Sequence, residues 1–430
     1  MNPVKPSLKT ILNTSVIVAA LGYFVDVYDL LLFQIVRVDS LKSIVPGIDL
    51  MSLDQKGSLL ISIQMAGLLL GGILWGIIGD KKGRLSVLFG SIATYSIANF
   101  LNGFVTTVDQ YAILRFIAGV GLAGELGAGI TLVTEVMPKE IRGYGTMIVA
   151  SVGVVGAVFA AFVAGFFKDL GLVYLIGNIN YLEGWRVSYF IGGILGLMLL
   201  LLRIGVFESG MYSKVKEQHI QKGNFMLLFS NYQIFSKYIK CILIGLPVWY
   251  IIGVLITFSS TFAGELGVQG TIVNGTSIMI CYSGLVFGDL FSGSLSQYLK
   301  SRKKVFFIFF CLSLLFASIY FTLNSPSTTM FYSICFMLGV SVGYWAILVT
   351  VAAEQFGTNM RATVATTVPN LVRGSLIPVL FIFNSIKPFF GDMKNVYAAS
   401  IVGAIVFVIA FIALYFTEET FEKEMDYYEE

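Results

Sequence analysis

Five ionisable residues interrupt apolar stretches that are long enough to span a membrane. An ionised side chain at the centre of a bilayer costs roughly 2.5 to 3.5 kcal/mol on insertion scales, so such residues usually face a cavity and have partners. An acid there can carry a proton, and an acid paired with a base can form an ion pair that opens on protonation. These residues are Asp26, Asp29, Arg115, Glu125 and Arg373.

The spacing along the predicted helices places one acid and one base at the same depth. At a rise of about 1.5 Å per residue, Asp29 lies about 24 Å from the start of the first helix, and Arg115 about 8 Å from the opposite surface. These depths nearly coincide in a hydrocarbon core about 30 Å thick. We expect Asp29 and Arg115 to form an ion pair that responds to protonation, with Asp26 one turn deeper on the same helix face. A permanent salt bridge between helices is the alternative.

Glu125 is a second candidate proton carrier. It follows Gly124 in a glycine-rich segment near mid-membrane, where neighbouring helices can approach closely, and no base lies within one turn of it. The alternative is a hydrogen bond from Glu125 to a backbone group or a tyrosine.

Arg373 is the most informative charge in the second half of the chain. It lies about 18 Å along its helix, beside Asn370 and between the helix-breaking Pro369 and Pro378. A fixed cation on a kinked helix suits a carboxylate or another small anion, and pairing with Asp289 or with an acid of the first half is equally open. Aromatic residues that could line the same substrate cavity are Tyr250, Tyr282 and Trp345.

Twelve apolar segments could position these residues, because a membrane-spanning helix needs about 20 apolar residues. The sequence therefore predicts an all-α membrane protein with twelve transmembrane helices. The segments are 13–36, 57–79, 85–105, 110–136, 143–167, 185–207, 238–262, 273–297, 304–323, 328–354, 362–386 and 394–416.

The composition supports a membrane protein and excludes other classes. Of the 430 residues, 57% are hydrophobic and only 12% are charged, against about 25% charged in soluble domains. The net charge of +3, with its bases scattered over loops, argues against nucleic-acid binding. A single histidine, the lack of a phosphate-binding loop and the lack of metal-ligand spacing argue against an enzyme, a metal site and a cofactor.

The chain is predicted to consist of two halves with the same orientation. An acid and a base end the fourth segment at Glu135 and Arg142, and the pattern recurs at Glu354 and Arg361 after the tenth. We expect a six-helix bundle over 1–207, a cytoplasmic linker over 208–237 and a second six-helix bundle over 238–430. Most of the 28 Lys and Arg residues fall on the side that holds both termini, which predicts cytoplasmic termini.

The loop after the second segment, Gly76-x-x-x-Asp80-Lys81-x-Gly83-Arg84, resembles the loop between the second and third helices of the major facilitator superfamily. The resemblance implies two pseudo-symmetric six-helix halves that rock around a central site, and a monomer. It also implies a cytoplasmic gate, in which Asp80 with Arg84 or Arg142 holds the outward-open state. The matching acids and bases Glu135, Arg142, Glu354 and Arg361 are assigned to the same gating role. Helix capping and topology signalling are the alternative.

Other motifs resemble the metabolite:proton symporter family. They are Asp26-Val27-Tyr28-Asp29, the stretch from Arg115 to Gly124-Glu125, Gly184-Trp185-Arg186, and Arg203 to Glu208-Ser209, after which Gly210 stands where the family has proline.

The resulting expectation is a secondary active transporter in a bacterial cytoplasmic membrane. It would take up a small, carboxylate-bearing metabolite together with protons by alternating access. Three alternatives remain: a porter for sugars or other neutral solutes, a proton-driven efflux antiporter, and a receptor without transport. Gly153-Val-Val-Gly156 lacks the proline typical of the efflux motif in the fifth helix, which argues against efflux.

Overall fold

The chain folds as a bundle of long helices. The computed structural model describes residues 14–82, 84–127, 129, 133, 137, 142–169, 183–208, 227–357, 360–391 and 393–421. Within these residues the β-type pairing is limited to an isolated bridge between Gln269 and Ser327. Helices suit a bilayer because each satisfies its backbone hydrogen bonds within one segment.

The first half contributes six helices that alternate in direction. We call the side at which the first helix begins the near side, and the side at which it ends the far side. The helices are α1 Thr14–Ile44, α2 Leu50–Lys82, α3 Arg84–Asn102, α4 Val108–Leu122, α5 Arg142–Asp169 and α6 Gly184–Glu208.

The second half contributes six more spans, three of which are interrupted. A proline inside a helix removes a backbone donor, and α7 passes from Pro247 into a π-helical stretch. The spans are α7 (Tyr232–Tyr250, Ile251–Ile256 and Ser259–Glu265), α8 Asn274–Leu299, α9 Arg302–Thr322, α10 (Thr328–Ser341 and Trp345–Glu354), α11 (Arg361–Gly374 and Leu376–Ile386) and α12 Lys394–Tyr415. A short helix, Leu227–Ser230, precedes α7.

The predicted twelve-helix architecture is confirmed. Ten stretches of the described chain are long and apolar enough to cross a membrane, and α3 and α4 occupy the other two predicted segments. The predicted boundaries were wrong at the far side, where α1 continues to Ile44 and α2 begins at Leu50. Arg37 and Asp54, which end the apolar runs, form an ion pair of 3.1 Å. Both helices can therefore extend beyond the purely apolar segments.

The two halves repeat the same helix packing. A side chain at Gly67 of α2 would collide with the carbonyl oxygen of Phe116 in α4, and a side chain at Gly284 of α8 would collide with that of Phe336 in α10. Both glycines allow the backbones of two helices to touch, as small residues commonly do in membranes. The same contact at matching positions shows that the α2–α4 and α8–α10 pairs are structural repeats.

Hydrogen bonds between buried residues join the two halves, one nearer the far side and one nearer the near side. At the far side, Thr257 of α7 donates to Gln34 of α1 at 2.6 Å, and at the near side Asn370 of α11 donates to the carbonyl oxygen of Ala123 after α4 at 2.8 Å. All four are buried. The described contacts therefore join the two halves near both surfaces of the membrane.

Candidate functional site

Buried charges follow one face of α1 across the membrane. Asp26, Asp29 and Arg37 are each fully buried, and the first two lie one turn apart on the helix surface. The glycine at position 22 continues this face towards the near side. A charged side chain inside a membrane is costly, so the partners of each residue indicate whether it stabilises the fold or can bind a proton or a substrate.

Asp26 pairs with Arg373 across the seam between the halves. The distance from Asp26 Oδ2 to Arg373 Nη2 is 3.7 Å, and both side chains are buried. Among the described residues, no hydrogen bond reaches either oxygen of Asp26 or the Nε and Nη1 atoms of Arg373. A long pair without supporting hydrogen bonds is weakly fixed, because a desolvated ion pair needs good geometry to offset its loss of water. Pairing with an acid of the first half was one of the alternatives open for Arg373.

The helix that carries Arg373 is interrupted next to it. The first part of α11 ends at Gly374, and the second begins at Leu376. A side chain at Gly374 would collide with Leu69 of α2, so the interruption lies against the first half. The kink stays a prediction, because Ser375, between the two parts, keeps right-handed helical angles (φ −61°, ψ −16°) and donates to the Leu371 carbonyl oxygen at 2.9 Å.

Two of the three predicted aromatic residues lie near Arg373. The guanidinium carbon of Arg373 lies 5.8 Å from the ring centre of Trp345, at the start of the second part of α10. Tyr282 is buried and lies within electrostatic range of Arg373. Tyr250 lies elsewhere: its hydroxyl donates to the carbonyl oxygen of Ala399 in α12 at 2.6 Å. Packing between α7 and α12 occupies Tyr250, so it does not line this site.

Asn370 binds backbone. Its side-chain nitrogen donates to the carbonyl oxygens of Ala123 and Thr366, at 2.8 Å and 3.0 Å, and Gly72 of α2 leaves room for it. The structure therefore places Asn370 in the near-side closure between α11 and the first half.

Asp289 also lies at a helix interruption. One of its oxygens accepts the backbone N–H of Ala346 at 3.2 Å, in the first turn of the second part of α10. Arg373 pairs with Asp26 and not with Asp289. Asp289 thus holds the segment that begins at Trp345.

The predicted ion pair between Asp29 and Arg115 is wrong. Arg115 donates to the side-chain oxygen of Asn99 in α3, and its guanidinium lies 5.0 Å from the ring centre of Tyr189 in α6. The carboxylate of Asp29 lies against Gly192, in the space that a side chain there would fill. Helix depth placed both residues at one level, but depth does not show which polar group each side chain binds.

Glu125 has a base that sequence spacing did not reveal. Arg203 of α6 donates from Nη1 to one oxygen of Glu125 at 3.0 Å and from Nη2 to the other, and both side chains are buried. Gly22 of α1 leaves room for the pair. The sequence shows no base within one turn of Glu125, but the fold brings Arg203 to it. A two-pronged ion pair of this kind joins α6 to the α4 segment. The signal for it was Arg203 itself, a charge placed before the end of an apolar segment.

We expect the Glu125–Arg203 pair to act in stability. Glu125→Gln leaves the Arg203 charge buried and should lower the free energy of unfolding by about 3–5 kcal/mol, whereas Glu125→Gln combined with Arg203→Met should recover most of the loss. Thermal unfolding of purified protein measures this. Equal stability of the single variant and the unmodified chain would contradict a structural pair.

A match to a known family covers most of the chain. The sequence model described as Major Facilitator Superfamily matches residues 10–374. The chain belongs to this superfamily. Its members are transporters and not enzymes, so this superfamily member is a membrane transporter of small molecules.

Individual relatives of the superfamily member are metabolite transporters. The sialic acid transporter NanX of Escherichia coli is 25% identical over 369 residues, which cover 84% of each chain. The cis,cis-muconate transport protein of Acinetobacter baylyi is 26% identical over 355 residues, which cover 80% of each chain. Among solved structures, the partially occluded inward-open xylose transporter XylE from E. coli superposes with a TM-score of 0.71 and 16% identity, covering 95% of this chain and 98% of that one. This last likeness shows the fold.

Most residues of the predicted cytoplasmic gate lie outside the described part of the chain. They are Glu135 and the side chains of Asp80, Arg84, Arg142 and Arg361. Glu354 is described: it accepts from Arg302 at 3.2 Å and from Thr420 at 2.7 Å. Both described partners belong to the same half as Glu354, so these contacts join α10 to α9 and to the residues that follow α12.

A closure at the far side was missed by sequence analysis. Asp54 of α2 accepts from Arg37 at 3.1 Å and from Thr261 of α7 at 3.1 Å, and the Arg37 guanidinium lies 4.1 Å from the ring centre of Phe258. These contacts join the first half to α7. The available signal was the charge of Arg37 and Asp54 just beyond the apolar runs. No metal-binding cluster of three or more His, Cys, Asp or Glu residues occurs in the described part of the chain.

Proposed function

We propose that this chain is a proton-coupled symporter for a small metabolite that bears a carboxylate. The observation that carries the proposal is the Asp26–Arg373 pair, at 3.7 Å between the two halves. Asp26 can take up a proton, and Arg373 is a permanent cation. The two share a buried site between the halves, which must separate during alternating access.

The pair explains how proton and substrate can be coupled. When Asp26 is ionised, it competes with any anion for Arg373. When Asp26 is protonated, Arg373 loses its counter-charge, and a substrate carboxylate can replace it, because a buried cation without a partner is costly. The guanidinium offers two parallel donors to a carboxylate. Proton and anion therefore bind together, and the occupied site has the same net charge as the empty one.

The contacts at the two ends of the seam support alternating access. The far-side contacts of Gln34 with Thr257, and of Asp54 with Thr261, would break to admit substrate. The near-side contact of Asn370 with Ala123 would break to release it. A ligand shifts such an equilibrium only through different affinities for the two states. Arg373 and Asp26 belong to opposite halves, so the affinities for the substrate and the proton depend on how far the halves are separated.

The relatives support an anionic substrate class. Sialic acid and cis,cis-muconate, named for two relatives, are both carboxylates. Arg373 is suited to the group that these two compounds share. The remaining shape of the site, with Trp345 and Tyr282, favours a ligand that also offers apolar surface.

The orientation and organisation belong to the same proposal. We assign the near side to the cytoplasm because the basic residues are concentrated there, with the protein in a bacterial cytoplasmic membrane. A bundle over 1–207, a linker over 208–237 and a bundle over 238–430 would form one functional monomer. Uptake then proceeds from the far side to the near side.

Transport in proteoliposomes tests the function. The purified chain should accumulate at least one radiolabelled carboxylate from a panel that includes N-acetylneuraminate and cis,cis-muconate when the outside is acidic, and a protonophore should abolish the accumulation. Xylose serves as the neutral control. Accumulation of xylose but of no carboxylate would instead establish a neutral porter.

A further inference from the structure

A chain of buried hydroxyl groups runs through the first half, separate from the seam. The hydroxyl of Tyr111 in α4 donates to Ser40 of α1 at 3.4 Å, and the hydroxyls of Tyr111 and Tyr189 in α6 are 2.5 Å apart. All three residues are fully buried. Hydroxyl groups both donate and accept, so a hydrogen-bonded row of them can pass a proton from one member to the next.

The inner end of this chain approaches Asp29. Gly192, against which the Asp29 carboxylate lies, follows Tyr189 by one turn on α6. Buried polar atoms without protein partners are where proteins hold ordered water. In the described part of the chain, such atoms cluster here: both oxygens of Asp29, Nε and Nη1 of Arg115, and the side-chain nitrogen of Asn99. Water held by these groups would connect Tyr189 to Asp29, and Asp26 follows one turn further on.

The outer end approaches the far-side surface. Ser43 lies one turn beyond Ser40 on α1 and donates to the carboxylate of Glu183 at 2.6 Å, whereas Ser40 donates to the carbonyl oxygen of Arg37 at 3.3 Å. A water molecule between the two serines would therefore have to complete the chain. The side chain of Glu183 is 36% exposed and also pairs with Arg186 at 3.2 Å. Trp185, whose ring stacks on Tyr111, also donates to the Glu183 carboxylate at 2.7 Å. A partly exposed acid therefore lies at the outer end of the hydroxyl chain.

The geometry points to a proton route through the first half: Glu183, Ser43, Ser40, Tyr111 and Tyr189 deliver protons from the far side to Asp29 and Asp26. We call these five residues the proton route. They all belong to α1, α4, α6 and the residue before α6, whereas the substrate passes between the halves. Protons could then load while the far-side contacts are closed. This inference rests on the proposed proton coupling.

Proton transfer along the route is balanced at each step. The hydroxyls of Ser43 and Tyr111 donate outward, and that of Ser40 donates to the Arg37 carbonyl oxygen, so each hydroxyl must first turn its proton inward. Each then accepts one proton on its outer side as it releases its own proton on its inner side, so one O–H bond forms as another breaks. Arg115 lies over the face of the Tyr189 ring, with its guanidinium 5.0 Å from the ring centre. Its fixed charge contacts the route without carrying the proton.

A pH jump on the purified full chain tests the route without a substrate. Infrared absorption of protonated carboxyl groups is followed after rapid acidification, and Asp29→Asn identifies the band of Asp29 by its loss. Tyr189→Phe and Tyr111→Phe remove single hydroxyls but keep the rings. In both variants the Asp29 band should appear about tenfold or more slowly, with unchanged amplitude and midpoint pH. Tyr320→Phe is the matched control, since this buried hydroxyl donates to the Leu255 carbonyl oxygen in the other half.

The outcomes separate the route from the proposed function. A rate equal to that of the Tyr320→Phe control in both route variants overturns the route, and so does a wild-type spectrum with no band that depends on Asp29. A change in amplitude, midpoint or melting temperature with an unchanged rate assigns the two tyrosines to packing alone. Failure of the chain to accumulate any carboxylate in proteoliposomes overturns the proposed function, whatever the rate of the pH jump.

Discussion

Arg373→Ala is expected to abolish binding of carboxylate substrates while leaving the protein folded. Removing one partner of a buried charged pair costs roughly 2 to 5 kcal/mol in binding. Arg373→Lys should retain part of the affinity, because lysine keeps the charge but loses the planar two-pronged fit. Calorimetric titration with a carboxylate from the transport panel measures the effect.

The stability of this variant needs its own control. Arg373→Ala leaves Asp26 buried without a counter-charge, and a buried acid in this position becomes protonated. Arg373→Ala combined with Asp26→Asn removes the unpaired buried carboxyl group, so the double variant should fold and still fail to bind carboxylates. Lys240→Ala is the matched basic control, since Lys240 donates to the Phe416 carbonyl oxygen outside the site. Unchanged affinity in Arg373→Ala would rule out the anion site and favour a neutral substrate.

Asp26→Asn is expected to separate substrate binding from proton coupling. The amide cannot ionise, so Arg373 stays available to a carboxylate at every pH. Wild-type affinity should fall as the pH rises and Asp26 ionises, whereas the affinity of Asp26→Asn should stay nearly constant. Accumulation driven by a proton gradient should be lost, because the variant carries no proton at this position. Exchange of internal for external substrate should persist, because exchange needs no net proton movement.

The same substitution at another position on α1 supplies the control. Asp39 pairs with Lys168 at 3.0 Å, and both side chains are largely exposed. Asp39→Asn should leave accumulation, exchange and the pH dependence of affinity as in the wild type, since exposed ion pairs contribute little. If Asp26→Asn accumulated substrate as the wild type does, Asp26 would have no part in coupling.

The class of protein and the inventory of its interior charges were accessible from the sequence. Apolar runs of membrane-spanning length determine how many helices there are and, with the rise per residue, the depth of each charged residue. Asp26 and Arg373 come out at similar depths in this way, and the structure pairs them. The loop motif with Asp80 likewise indicated the superfamily that the match over residues 10–374 shows.

The choice of partners was decided by the tertiary structure alone. Depth leaves open the rotation of each helix and the identity of its neighbours. Arg115 therefore donates to Asn99 and not to Asp29, and Glu125 pairs with Arg203, which lies on a helix distant in sequence. Contacts between the halves, such as that of Asn370 with Ala123, depend on how two bundles dock. A one-dimensional pattern records the charges and their depths, whereas the pairing of these charges is a property of the packed helices.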